Sequence, residues 1–438
     1  PRRRGEESTM MRFALRFAAV FPAALFCCAA ASSAQEEAAL FRHSPDWIRA
    51  RLRSMHAVDD AYLWHDVLGG RAIHQNSKTT PPVEPLEGNF HTQQQAFFAL
   101  MKLHLYEVLG ETDPGLLDDA KALLDWVLDN GYDAPTARFY FRYNERRGEW
   151  HRGFYPEFNM ITVAALLRYN AVRPTPRYSQ VADAVFDTII RVGWDAEHGG
   201  FCSGFSYNPE TGAFEGDRNK GLYAPGYLAV MMLDAYDVTG EPRFLAWAKK
   251  AVDACNNHLW DDEYGAWRPG ANRQWDRFEG STKLTHVIAD LVQANYLLYL
   301  KGQGDAYRDY AERALAFLVE YCRAPNGLWY RHTTRDGSDP RPGPDVSADG
   351  GPGTCLPYDR QMQAIAACCL GYRATGNARY LEYVDDTLDA METSHRIDYP
   401  AGINYGYMGQ DNAQNTWCHL WGLKGFLAIA RVQAGDGR

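Results

Sequence analysis

The sequence predicts an all-α chain whose helices alternate between two kinds and close into a six-hairpin (α/α)6 toroid. Three observations predict it: twelve segments with helical periodicity, alternation of wholly apolar with amphipathic segments, and a repeated aromatic unit at the ends of the amphipathic ones. The segments cover 43–56, 91–109, 114–130, 157–169, 177–193, 222–239, 242–257, 281–301, 305–322, 358–375, 377–393 and 412–433. Leu222 to Tyr236 (LYAPGYLAVMMLDAY) and Met160 to Tyr169 (MITVAALLRY) are apolar around their circumference, which demands burial on all sides. Pro242 to Cys255 (PRFLAWAKKAVDAC) carries Lys and Asp on one face only. Short turns join them, such as Val238-Thr239-Gly240-Glu241 and Ala374-Thr375-Gly376-Asn377, where glycine suits a left-handed helix cap.

The repeat reads Gly193-Trp194-Asp195-Ala196-Glu197-His198-Gly199-Gly200-Phe201, then Leu259-Trp260-Asp261-Asp262-Glu263-Tyr264-Gly265-Ala266-Trp267, with a weaker copy at Asn326-Gly327-Leu328-Trp329-Tyr330. Closing the chain on itself buries one helix set completely, the segment at 43–56 pairing with the last one; an open solenoid needs polar caps at its ends. Strands are few. The aromatic alternation Arg138-Phe139-Tyr140-Phe141-Arg142-Tyr143 reads as hairpin arms in a loop.

Residues 1–10 read as upstream translation and 11–34 as a secretory signal peptide, leaving 35–438 as one toroid domain. Arg12 and Arg16 precede the apolar stretch Phe17 to Ala31, and Ser32-Ser33-Ala34 offers small residues for cleavage. The expected location is secreted or periplasmic, with no stable membrane insertion after cleavage. A net charge of −10 without a later basic run excludes nucleic acid as a partner. The seven cysteines beyond the leader are Cys202, Cys255, Cys322, Cys355, Cys368, Cys369 and Cys418; without a CxxC pair they read mostly as small buried residues. Nothing in the sequence calls for a metal or a cofactor: there is no His-x-x-x-His, Walker loop or Gly-x-Gly-x-x-Gly. The Pro/Gly/Asp-rich stretch 337–353 reads as a lid or a linker.

In a toroid the loops before the inner helices surround one mouth, so residues starting those helices converge. They are His91, Gln93 and Gln94; Glu157 and Asn159; Asn219, Lys220 and Tyr223; Glu279, Lys283 and His286; Tyr358, Asp359 and Arg360; and Asp411, Asn415, Trp417 and His419. Two loops, 139–151 and 399–407, are dense in aromatics. Aromatic faces beside amides, carboxylates and arginine match a pyranose, whose C–H face stacks and whose hydroxyls need donors and acceptors. The expected partner is therefore a carbohydrate. Packing of loop against loop is the competing explanation of the aromatics, as a hydrogen-bonded packing role is for each histidine.

The hairpins with their Asp-x-x-x-Gly-Gly-aromatic units, and the helix containing Thr285-His286-Val287-Ile288, resemble the N-acylglucosamine 2-epimerase superfamily, which includes cellobiose 2-epimerases and aldose–ketose isomerases. The likeness spans about His91 to Val432. It implies that His286 and His419 shuttle a proton at the carbon beside an opened-ring carbonyl. Two departures stand out: Ala289 and Asp290 follow Ile288 where that family has an acidic residue, and Gln93, Gln94 and Gln95 stand where it has arginine.

The chemistry is also coherent without the resemblance. Imidazoles titrate near neutrality and can serve as base and acid, while Lys283, Arg360 or Asn415 could polarise an oxygen that gains charge. A glycoside hydrolase on the same fold would use carboxylates, for which Glu157, Asp359 and Asp411 are candidates. A polysaccharide lyase would use Tyr358 with Arg360, or Tyr223 with Lys220 and His286. A non-catalytic glycan-binding toroid is the third alternative. The pairs Asp261-Asp262 and Asp385-Asp386 read as solvated outer surface.

Overall fold

The computed structural model describes residues 41–73, 88–110, 112–216, 218–221, 224–278, 282–341, 358–405 and 416–435. The leader reading over 11–34 and most of the 337–353 stretch lie outside the described residues.

Among the described residues, six helices form the outer layer: α1 (Pro45–Tyr62), α3 (Pro114–Trp126), α5 (Pro176–Thr188), α7 (Pro242–His258), α9 (Asp305–Phe317) and α11 (Arg379–Ser394). Six form the inner layer: α2 (Thr92–Val108), α4 (Pro156–Val172), α6 (Ala224–Thr239), α8 (Thr285–Leu300), α10 (Tyr358–Thr375) and α12 (Thr416–Gln433). Each inner helix packs on the next, α2 on α4, α4 on α6, α6 on α8, α8 on α10, α10 on α12, and α12 back on α2. α1 packs on α12, completing the sixth hairpin. The ring is closed, and the fold is an (α/α)6 toroid.

Sequence physics accounts for the two layers. In α2 every residue from Thr92 to Leu105 is buried, and in α8 every residue from Thr285 to Tyr296, because each inner helix is covered by two inner neighbours and one outer helix. Outer helices bury one face, as α7 does with Phe244, Ala248, Ala251, Val252 and Cys255. Four outer helices begin with proline in the first turn, where the missing N–H costs nothing. Ser44 Oγ caps α1 by accepting from Trp47 N at 3.2 Å. Gly240 and Gly376 adopt φ of 69° and 71° as helix caps, in agreement with the sequence. α1 runs six residues past its expected end at 56, because Val58 and Asp59 continue its buried face.

α3, α5 and α9 each continue through a π-helical turn, at Val127–Gly131, Ile189–Gly193 and Leu318–Cys322. Two of those turns deliver the chain to copies of the repeated unit, a small antiparallel bridge in which Trp194 pairs with Phe201 and Arg323 with Trp329; the copy in which Trp260 pairs with Trp267 follows α7 directly. A further copy, at Gly131-Tyr132-Asp133-Ala134 with Tyr132 paired to Phe139, escaped the sequence reading. The remaining strands, two to four residues each, make small antiparallel sheets in the loops. Arg138 to Tyr143 is split between two of these: Arg138–Phe139 pairs with Tyr132–Asp133, and Arg142–Asn144 lies between Asn89–His91 and Glu149–His151. Cys202, Cys255, Cys322, Cys368 and Cys369 are buried and free.

Candidate active site

The six inner helices point their N-termini at one mouth, where their unpaired N–H groups and positive dipole ends favour anionic groups. Around the ring, α4 stands opposite α10 and α2 opposite α8, each three helices away.

On α8, His286 is the second residue and Asp290 lies one turn further on, on the same face. Both are buried. Burial, with the charges of Arg360 and Arg331, holds the imidazole of His286 well below its usual range, so the ring is neutral at physiological pH. Burial pushes Asp290 up to about 6, against the pull of Lys424 and Arg360.

On α10, Arg360 Nη1 donates to Asp359 Oδ2 at 2.6 Å and to Gln363 Oε1 at 3.2 Å. Gln363 Nε2 donates to Asp290 Oδ2 at 3.3 Å, and Gln293 Nε2 donates to Asp290 Oδ1 at 3.4 Å. One network thus joins Asp359, Arg360, Gln363 and Asp290, with the charge of Arg360 felt at His286. Asp290, Gln363 and Gln293 were missed in the sequence reading. Their signal was polarity inside segments otherwise apolar, a pattern that needs buried partners.

Opposite α10, Glu157 opens α4 directly after Pro156. It is 3% exposed, and among the described residues its Oε2 has no hydrogen-bond partner. Burial raises its carboxyl to about 7. On α2, Gln94 is fully buried with neither amide atom paired among the described residues. His91 Nδ1 lies 3.0 Å from Gln93 Nε2, and burial with the charges of Arg142 and His151 lowers that imidazole to about 3. Phe141 lies edge-on to His91 at 4.9 Å and reaches Tyr155 at 4.8 Å and Phe158 at 5.8 Å, an aromatic wall beside the starts of α2 and α4.

Three expected substrate contacts are structural instead. Lys220 Nζ donates to Asp195 Oδ2 at 2.9 Å, and Arg273 Nε reaches the same oxygen at 3.0 Å. Lys283 Nζ donates to Ala266 O at 2.9 Å and lies 3.5 Å from Asp261 Oδ2, which Arg335 also holds at 2.6 Å. In two copies of the repeat, then, the aspartate is locked by a buried lysine and by an arginine from the following loop. Those lysines are unavailable to a sugar, because withdrawing either strands a buried carboxylate. Asn159 is likewise consumed: its Oδ1 accepts from Phe139 N at 2.8 Å and its Nδ2 donates to Tyr155 O at 3.0 Å.

Asp261 and Asp385 are both 2% exposed rather than solvated, whereas their neighbours Asp262 and Asp386 face solvent with side chains 87% and 45% exposed. Trp150 packs among Trp126, Tyr140 and Tyr143, and Tyr405 stacks on Phe426, so those loop aromatics hold loops together. Tyr223, Glu279, Asp411 and Asn415 lie outside the described residues, as do the side chains of Tyr358, Trp417 and His419.

His56, Asp60 and Asp119 form a group with metal-ligand character. Lys102 Nζ already stands among them, 3.2 Å from His56 Nδ1 and 2.9 Å from each aspartate, so the cluster's cation belongs to the protein itself. No helix among the described residues is long and apolar enough to cross a membrane.

Residues 154–339 match the model of glycosyl hydrolase family 76. No curated protein matches the sequence. Among solved structures, the chain is similar to cellobiose 2-epimerase from Bacillus thermoamylovorans B4167 (12% identity, TM-score 0.70, covering 87% of this chain and 98% of that one). It is similar to a D-mannose isomerase (15% identity, TM-score 0.71, covering 88% and 98%). It is also similar to the α-1,6-mannanase GH76A of Salegentibacter sp. HEL1_6 (17% identity, TM-score 0.58, covering 88% and 98%). A variant of that mannanase with two adjacent aspartates changed to asparagine is described as inactive. Aspartates are adjacent in this sequence at 59–60, 118–119, 261–262 and 385–386, all on outer helices or in the strand and turn after one. This chain is an (α/α)6 toroid of the kind seen in a sugar 2-epimerase, a sugar isomerase and a family 76 mannanase.

Proposed function

We propose that this chain is a carbohydrate-active enzyme that moves a proton at a sugar carbon next to an opened-ring carbonyl, as an epimerase or isomerase does. The observation that carries this reading is the neutral, buried imidazole of His286, set one turn from Asp290 and within the field of Arg360. A neutral imidazole is ready to accept the proton from the carbon next to the carbonyl. Arg360, oriented by Asp359 at 2.6 Å, supplies positive charge for the oxygen that becomes an enediolate. His419, at the start of α12, is the proposed donor that returns the proton. Return to the same carbon from the other face inverts it; return to the neighbouring carbon converts aldose to ketose. His91, Gln94, Tyr358, Trp417 and Asn415 are proposed to hold the sugar's hydroxyls and ring face.

A second reading, glycoside hydrolysis, is favoured by the family 76 match over 154–339 and by Glu157, whose carboxyl at about 7 is protonated enough at neutral pH to act as a general acid. Asp359, on the opposite helix of the ring, would be its partner. The leader read over 11–34 supports action outside the cytoplasm.

The test is a product screen with purified protein. Incubation with cellobiose and mannose is expected to yield the C2 epimer or the ketose, read by carbohydrate chromatography. New reducing ends from α-1,6-mannan without such products would support hydrolysis, and an unsaturated product from uronate polymers would support a lyase. Absence of product from every substrate, with sugar still bound, would leave a glycan-binding toroid.

A further inference from the structure

The three-stranded sheet at the mouth sets three basic residues side by side: His91 is paired with Arg142, and Arg142 with His151. Residues paired in register project to the same face of a sheet. All three converge on one ring, Phe141, which lies 4.9 Å from the His91 ring, 5.4 Å from the His151 ring and 5.8 Å from the guanidinium carbon of Arg142. The other face carries Phe90, Tyr143 and Trp150 and packs on Trp126. The row stands by the starts of α2 and α4, since His91 immediately precedes α2 and Phe141 also reaches Tyr155, which immediately precedes α4. Half-buried arginines elsewhere meet a carboxylate, as Arg51 meets Glu392 at 2.8 Å and Arg323 meets Asp386 at 2.6 Å. Arg142, also half-buried, makes no ion pair or hydrogen bond among the described residues. The acidic side chains of the same loop and of the start of α4 do not serve it: Glu149 pairs with Arg147 at 3.5 Å, Glu145 lies 3.7 Å from His65, and the carboxyl of Glu157 is set by burial with no cation acting on it. Burial and the charge of Arg142 keep both imidazoles neutral at physiological pH. His151 Nδ1 accepts from Gly153 N at 3.4 Å, so its ring hydrogen sits on Nε2, a donor beside the guanidinium.

We propose that this row is the anion-binding end of the sugar site, so that the mouth takes a sugar carrying a carboxylate or a phosphate, whose oxygens meet the guanidinium of Arg142 and Nε2–H of His151. A guanidinium presents paired N–H groups that match either oxyanion. The positive dipole ends of α2 and α4 favour the same charge. The inference rests on the reading of the mouth as a sugar site and adds the substrate's class to it. His286 stands on α8, across the ring from α2, so the anion belongs at the end of the sugar remote from the reacting carbon, as C6 is in glucuronate and in glucose 6-phosphate.

The test is calorimetric titration of the full chain, at low ionic strength, with glucuronate, glucose 6-phosphate and glucose. At least one of the two anions is expected to bind about tenfold or more tighter than glucose, the usual scale of a charge-assisted hydrogen bond, and which one does so separates carboxylate from phosphate. Arg142→Gln should bring the ratio of affinities close to one. Arg146→Gln, the same loss of charge on the exposed turn of the same hairpin, should leave the ratio unchanged. Equal affinity for the anions and glucose, a preference undiminished in Arg142→Gln, or one diminished equally in Arg146→Gln would overturn the proposal. The readout is binding, so the preference should persist in His286→Gln. Absence of proton exchange with the preference intact would count against the catalytic reading alone, and exchange without any preference against this inference alone.

Discussion

Lys220 Nζ lies 2.9 Å from Asp195 Oδ2, with both side chains essentially inaccessible to solvent. This pair is a staple of the repeated unit, and Lys283 repeats it at Asp261 one hairpin later. Removing one partner of a buried pair typically costs about 3–5 kcal/mol, because the other charge is stranded. Arg273 still reaches Asp195, so Lys220→Met is expected to cost toward the lower figure, about 3 kcal/mol. Denaturant titration measures it. The KM of the molecules that remain folded should be unchanged; a raised KM would restore Lys220 as a substrate contact.

Two neighbouring glycines of the same unit should respond differently to alanine. Gly199 and Gly200 both adopt positive φ, 71° and 78°. Strain from that backbone alone costs roughly 1–2 kcal/mol. At Gly199 a Cβ would meet nothing nearer than 3.9 Å, whereas at Gly200 it would lie 2.4 Å from the Trp275 ring. Gly200→Ala should therefore lower Tm markedly more than Gly199→Ala. Equal losses would show that the Trp275 contact is dispensable.

Glu157 makes stability depend on pH in a defined direction. Its carboxyl is raised from 4.5 to about 7 in the folded protein, so folding favours the protonated form. The stabilisation is fully present below about 4.5 and is lost as pH rises through about 7. At 1.36 kcal/mol per pH unit, a shift of this size amounts to about 3 kcal/mol. Glu157→Gln should be more stable than the parent at pH 8 and indistinguishable from it near pH 4, by thermal unfolding across pH. A difference independent of pH would place the carboxyl in an ordinary, solvated setting.

His286→Gln is expected to lower kcat/KM by about 10²–10⁴, the usual contribution of a positioned acid or base, with little change in Tm. Because its imidazole is held well below 6.5, the parent should keep its base form through mildly acidic pH. A pH profile losing activity with an apparent pKa near 6.5 would contradict that placement.

The fold was legible because helix burial is written as periodicity: Met160 to Tyr169 lacks a polar face and is buried from three sides, while Pro242 to Cys255 keeps one face exposed. The toroid itself followed from alternation plus repetition. The site was less legible, for a physical reason. Position at the start of an inner helix does not say whether a polar side chain turns into the mouth or back into the loop. Asp359 and Arg360 share a network whose charge reaches His286, whereas Lys220, Lys283 and Asn159 turn to carboxylates and backbone groups supplied by loops. Asp290 was hidden inside an apolar helix, where its partner Gln363 comes from the next hairpin. The copy of the repeat at Gly131-Tyr132-Asp133 was overlooked because tyrosine replaces tryptophan there, although the bridge it forms is the same.

The most direct test of the central claim is proton exchange at C2 of cellobiose and mannose in deuterated water, followed by NMR. The account predicts that the parent chain replaces the C2 proton with deuterium and that His286→Gln does not. Retention of the C2 proton by the parent while it cleaves glycosidic bonds, or exchange undiminished in His286→Gln, would contradict it.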